Sequence, residues 1–269
     1  ITWRTLMTYR THLCIGDPHA TPEYNNNRFD ILGKFIVDRQ PDVIVNIGDM
    51  ASMESLCSYD KGKKSFEGRR YKHDVAAVID AQERMFKPLN EYNEQQRKNK
   101  KKQYTPELYL TLGNHEYRIN RAVETQAELE DVISVDDLKY KEFGWNVIPF
   151  LEPAIIDGIA YCHYFTSGVM GRPIGGEHTA HSLLTKMFMS CVQGHSHLRD
   201  FAERTTAEGN KIQATVVGCY LDEDQWEGYA GPANKMWYKG LVMLNNCNDG
   251  EYDPEFIGIK ALKEKYGKI

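Results

Sequence analysis

The chain has 269 residues, 41% of them hydrophobic and 26% charged, with a formal net charge of −5; this is ordinary globular composition, which excludes disorder and allows a large core. Its longest apolar runs fall far short of a bilayer span and no charged-then-apolar leader opens it, so neither membrane passage nor secretion is predicted. Six dispersed cysteines without a CxxC pair, Cys14, Cys57, Cys162, Cys191, Cys219 and Cys247, read as buried free thiols of a reducing, cytoplasmic compartment.

Along the chain, short β-rich runs alternate with helical patterns. "HLCIGD" ends an apolar run at Asp17. "NNRFDILGKFIVDRQ" then repeats Phe29, Leu32, Phe35 and Ile36 at helical spacing, with Asn27 as the expected cap. "DVIVNIGD" ends a second run at Asp49. Residues 58–103 read as an insertion, predicted to form a helical cap over a site. It holds the basic run "KGKKSFEGRRYK", a helix over 74–96 with Pro88 as a kink or break, and the second basic run "RKNKKK".

"ELYLTLGNHE" ends a third run at Asn114, and "YRINRAVETQAELE" reads as a further helix. "NVIPFLEPAIIDGIAYCHYF" predicts paired strands around an Asp157-Gly158 hairpin turn. "SCVQGHSH" ends a fourth run at His195, "ATVVGCYL" and "WYKGLVMLNN" supply later strands, and "ALKEKYGKI" reads as a helix or a tether. Helices between buried strands predict one α/β (α+β layered) domain over 1–269. Later strands without intervening helices predict that its sheets are mixed.

Four of these runs stop at glycine followed by residues able to bind a cation: Asp17-Pro18-His19, Gly48-Asp49, Gly113-Asn114-His115-Glu116 and Gly194-His195-Ser196-His197. Singly, the aspartates read as turn formers, Asn114 as a left-handed turn residue and the histidines as surface groups. Jointly they read as ligands. Carboxylates and neutral imidazoles suit Zn, Mn or Fe, and two divalent ions roughly 3.5–4 Å apart bind phosphoryl oxygens and acidify a bridging water. The glycines read as positions where the backbone turns sharply.

The ordered set "GDPH…GD…GNHE…H…GHSH", spanning about Leu13 to Leu198, resembles the calcineurin-like metallophosphoesterase superfamily, with an overall arrangement like that of bacteriophage-encoded members. The resemblance implies a β-sandwich of mixed sheets flanked by helices, with a two-metal site at a loop edge. It implies that Asp17, His19 and His197 hold one ion and that Asn114, His163 and His195 hold the other, with Asp49 bridging. His163 is placed only by lying on a strand between the GNHE and GHSH segments. His115 would sit beside the metals, donating a proton to the leaving oxygen or stabilising the transition state, and manganese is the first expectation for the metal, with zinc or iron as alternatives.

Glu116 reads as a residue behind the ligands or at a helix start. Arg118, Arg69, Arg70, His178 and His181 are candidate substrate contacts, each with an exposed surface role as the plainer reading; His12 and His73 carry no functional expectation, and Met187 and Met189 read as core. The protein-phosphatase motif GDxxDRG is absent, "GDMASME" standing in its place. The basic insert, with Phe66 and Tyr71 available to stack on bases, predicts a nuclease acting on DNA or another nucleic acid, in the host cytoplasm if phage-encoded. A small-molecule phosphatase or cyclic-nucleotide phosphodiesterase is the alternative, and a non-catalytic binding protein on the same fold is the third reading.

Overall fold

In the computed structural model, which describes residues 9–267, the chain runs through β1 (Arg10–Ile15), α1 (Asn27–Arg39), β2 (Val43–Asn46), α2 (Tyr71–Lys98), β3 (Glu107–Thr111), α3 (Tyr117–Thr125) and β4 (Asn146–Ile148). It continues through β5 (Ala154–Ile156), β6 (Ile159–Cys162), the short β7 (Thr166–Ser167) and β8 (Arg172–Pro173), α4 (Thr179–Met187) and β9 (Cys191–Gln193). Last come β10 (Arg199–Thr205), β11 (Lys211–Val217), β12 (Gly240–Asn248), β13 (Glu251–Gly258) and α5 (Ile259–Tyr266).

Two mixed sheets result. One has the order β13-β12-β1-β2-β3-β4, parallel from β1 to β4; the other has the order β10-β11-β9-β6-β5, parallel across its middle three. Side-chain alternation sorts their residues into layers. Cys14, Val43, Val45, Tyr161, Val192, Val217 and Val242 meet between the sheets. Leu13, Ile15 and Ile44 face the other way, onto Phe29, Leu32 and Phe35 of α1 and Val78, Met85 and Phe86 of α2. Leu183 and Leu184 of α4 cover Cys162, Cys191 and Val216 on the far sheet. The sandwich with helices outside both sheets is the architecture expected.

Two local expectations change, and a third is narrowed. Asn27 is the first residue of α1, not its cap; Asn26 precedes it, and its amide is drawn away to Ala77 O and Asp80 on α2 at 2.8 and 2.9 Å. Pro88 does not interrupt α2, which runs unbroken through it. Its ring lies at the crossing with α1, where a Cβ on Gly33 would come within 2.9 Å of it and collide with the Met85 carbonyl. The C-terminal segment is a helix that packs on α1, with Tyr266 edge-on to Phe35. The Asp157-Gly158 turn has positive φ at both residues, as a tight hairpin requires.

The two basic runs separate. Residues 58–66 form short turns, and Tyr59, Asp60 and Lys63 border the cavity described below. The 28-residue α2 then carries the chain about 42 Å away. Run 97–102 therefore does not lie near the ligands. Just beyond it, Tyr104 donates to Pro41 O, at the end of β2 opposite Asp49. All six cysteines are buried and free, and no helix among the described residues is long and apolar enough to cross a membrane.

Candidate metal centre

Residues at the C-terminal ends of β1, β2, β3, β6 and β9 supply every strand-end candidate, so the parallel strands of both sheets deliver their loops to one edge. Asp17, His19 and His197 converge, with the Nε2 atoms of the two histidines 3.2 Å apart and His197 Nε2 3.4 Å from Asp17 Oδ1. Asp49, Asn114, His163 and His195 also converge: His163 Nε2 lies 2.9 Å from Asn114 Oδ1, 3.2 Å from His195 Nδ1 and 3.3 Å from Asp49 Oδ2. Asp49 also groups with His19 and His115, so it stands between the two sets.

The donor chemistry fits cations. Pairs of ring nitrogens face each other beside carboxylates, and a bound cation would use the lone pairs of the neutral imidazoles there. Burial, reinforced by neighbouring imidazoles, pushes His19 well below the ordinary histidine range and His195 downward. Burial opposes ionisation of Asp49, yet His115, His163 and His19 around it outweigh that and hold its carboxyl well below the usual range. Burial works against a charge on His163 too, but the Asp49 and Asp17 carboxylates raise it to about 9. His163 Nδ1 donates to Ile47 O at 2.8 Å, which turns its Nε2 toward the other ligands.

Backbone conformation at the site is unusual. Asp17, His19, Asp49, His195 and His197 all have positive φ, between 41° and 65°, a region that costs L-residues about 1–2 kcal/mol. Two of the glycines serve a different purpose from the sharp turn expected: a Cβ on Gly113 would strike the Asp49 carboxylate, and one on Gly194 the Asp17 carboxylate. The same carboxylates cross-link the loops, Asp17 accepting the His195 N–H at 2.9 Å and Asp49 the His115 N–H at 2.8 Å.

Glu116 is wholly buried. Its Oε2 accepts the N–H groups of Asp49 and Gly113 at 3.0 and 2.9 Å, and its Oε1 accepts the Ala51 N–H at 2.9 Å and the Tyr140 hydroxyl at 3.0 Å. Burial, with the Asp49 charge beside it, lifts its pKa to about 7. A second support carried no sequence signal. Arg28 on α1 is buried, and its guanidinium donates to Pro18 O at 2.6 Å, inside the Asp17–His19 turn, and to Tyr220 O at 3.0 Å. Trp237 packs edge-on against His197 at 4.2 Å; its only clue was an apolar strand start.

The candidate ligands Asp49, Asn114, His195 and His197 open onto a cavity of about 420 Å³, bordered also by Glu54, Cys57, Tyr59, Asp60, Lys63, Arg118, Glu227 and Tyr229. His115 donates from Nδ1 to Ser52 O at 2.8 Å and accepts the Arg118 guanidinium at Nε2 at 3.1 Å. Burial pushes its pKa down to about 4, so it is neutral near pH 7. Of the candidate substrate contacts, only Arg118 borders the cavity. Arg69 is held by Glu54 at 3.0 Å and Asp60 at 2.8 Å. Arg70 is exposed and bonded to the Arg69 carbonyl. His178 precedes α4 and His181 accepts from Arg204, both exposed on the outer side of the far sheet. Tyr71 is engaged by Ser134 O and Asp137, and Phe66 lies under the Arg69 guanidinium, so neither is presented for base stacking.

The sequence pattern of the calcineurin-like phosphoesterases matches residues 11–186. A curated protein of Mycobacterium phage L5, Gene 54 protein, is 24% identical over 233 residues, 84% of this chain and 84% of its own length. The protein of the same name from Mycobacterium phage D29 is 23% identical over 232 residues with equal coverage. Among solved structures, a conserved Streptococcus pneumoniae TIGR4 protein described as a predicted phosphoesterase aligns with 94% of this chain and 92% of its own, at TM-score 0.39 and 10% identity. Yfce, a phosphoesterase from E. coli, aligns over 93% of this chain and 99% of its own, at TM-score 0.35 and 12% identity.

Proposed function

The chain belongs to the calcineurin-like phosphoesterase family, and on that premise we propose that it is a two-metal phosphodiesterase acting on nucleic acid. The observation that carries the reading is the convergence of Asp17, His19 and His197 with Asp49, Asn114, His163 and His195 beside an open cavity. The ions proposed are manganese, ahead of zinc or iron. When bound, they supply positive charge to phosphoryl oxygens and lower the pKa of water.

The chain's own groups do the rest. Arg118, on the cavity wall, meets a phosphoryl oxygen once it leaves His115. An anionic phosphoryl group attracts that guanidinium away and raises the proton affinity of the imidazole, by the Coulombic rule that shifts any neighbouring base. His115 then holds a proton at Nε2 to pass to the leaving oxygen, while its Nδ1 bond to Ser52 O fixes the ring. Lys63 and the exposed rings of Tyr59 and Tyr229 at the mouth favour a nucleotide-bearing substrate. The phage origin of the two curated relatives supports action in a host cytoplasm.

A second reading, hydrolysis of a small phosphoester or a cyclic nucleotide, is favoured by the cavity's modest volume of about 420 Å³ and by the distance of run 97–102 from it. Mn²⁺-supported cleavage of labelled single- and double-stranded DNA, measured against para-nitrophenyl phosphate and cyclic nucleotides, separates the two. Cleavage of DNA is the expected result; rapid turnover of small esters with intact DNA would replace the first reading by the second.

A further inference from the structure

A continuous file of aromatic rings leads away from the metal centre. Tyr164 lies 4.5 Å from the ligand His195, Phe150 lies 5.6 Å from Tyr164, and Tyr117 is stacked on Phe150 at 4.8 Å. The outermost ring, Tyr117, is 40% exposed, and Leu151 beside Phe150 is 43% exposed. Such a strip leaves its outer rim in water next to the candidate metal centre, where a partner of matching chemistry would cover it.

Charge identifies the partner. Arg121 stands one helical turn after Tyr117 on α3, hence on the same face. Among the described residues it has no carboxylate within ion-pair distance, unlike Arg10, Arg39, Arg69 and Arg84. Stacked rings beside an unpaired guanidinium make the combination that holds single-stranded nucleic acid, bases on the rings and phosphate on the cation. The strip is short. Tyr117 and Arg121 themselves border the cleft between α3 and the next loop, where Glu124, Glu130, Asp131 and Asp136 repel a polyanion and end the strip.

We propose that Tyr164, Phe150 and Tyr117, with Arg121, form a stacking subsite for the bases next to the phosphate at the metal centre, so that the ligand is a short single-stranded stretch. The proposal rests on the phosphodiesterase reading for its place in a reaction, but its binding step is measurable alone. Fluorescence anisotropy of a labelled thymidine hexanucleotide in the presence of EDTA, where no cleavage occurs, gives the affinity directly. Tyr117→Ala is expected to weaken binding about tenfold, the order of one lost base–aromatic stack, while Tyr117→Trp retains it. Arg121→Gln is expected to weaken binding and to lower the slope of log affinity against log salt by about 1. Replacing the thymines by abasic residues should weaken the wild type and leave little further loss in Tyr117→Ala. Equal affinity of wild type and Tyr117→Ala, or no binding of the hexanucleotide at low salt, would overturn the subsite. Binding as described without cleavage of any phosphodiester would instead remove the reaction and keep the subsite.

Discussion

The carboxylate of Glu116 receives the backbone N–H of Asp49 at 3.0 Å, so the loop after β3 fixes the position of a residue on the loop after β2. Glu116→Ala would leave the amides of Asp49, Ala51 and Gly113 buried without acceptors. A loss of about 3 kcal/mol in unfolding free energy is expected, with a 10- to 100-fold weaker metal affinity. Tyr140→Phe removes one bond of the same cluster and should lower stability by only about 1 kcal/mol. Urea unfolding and competitive metal titration measure both, and an unshifted Glu116→Ala would show that the tie is idle.

Arg28 predicts a defect far from any motif. Arg28→Met fills similar volume but leaves the carbonyls of Pro18 and Tyr220 without their donor. The expected result is a loss of about 2–3 kcal/mol in stability together with weaker metal binding through the displaced Asp17–His19 turn. Paired melts of the apo and metal-loaded protein check it: a variant equally destabilised in both states would show that Arg28 supports the fold alone.

Metal removal should abolish hydrolysis and lower the melting temperature, and Mn²⁺ should restore both. At an ion concentration 100 times Kd, the linkage is worth about 2.7 kcal/mol. Asp49→Asn removes the charge shared by both ligand sets and should reduce turnover at least about 100-fold, with His115→Ala also impaired. Hydrolysis untouched by both substitutions would mean that this centre binds without catalysing.

His12 sets a pH dependence distinct from the metal site. It is buried between the Tyr161 hydroxyl at 2.5 Å and Asp157 at 2.8 Å, and burial holds its pKa below the ordinary 6.5 despite the Asp157 carboxylate. As pH falls below 6.5 the unfolded chain binds a proton that the folded imidazole does not yet accept, so this group makes folding less favourable toward acid. The stability difference between wild type and His12→Gln should therefore shrink from pH 7 to pH 5, as followed by urea midpoints; a constant difference would contradict it.

The convergent candidate ligands were legible because a cation demands ionisable or imidazole side chains, and four such places stood next to glycine immediately past a strand. His163 had no such neighbour and came only through family resemblance. Glu116 was visible, but its bonds to Asp49 and Ala51 join segments far apart in sequence. Arg28 was hidden for a related reason: on a helix, an arginine beside apolar residues reads as surface, and only the tertiary fold turns it inward. The basic runs misled because closeness in sequence ignores the span of α2, which carries one run away from the site while the other stays. The candidate contacts Arg70, His178 and His181 were judged by residue type alone, and in the structure none of them borders the cavity.

Five of the seven candidate ligand positions carry a side chain where the backbone favours glycine. Glycine at His195 would relieve that conformation while deleting a donor, so the unloaded protein should tolerate it better than an ordinary core substitution, whereas glycine at Asp17 would also strip the His195 N–H of its acceptor. Selection of the metal-free protein for heat resistance alone would then erode the centre at such positions. Endurance and reactivity are set against each other at the same α-carbons.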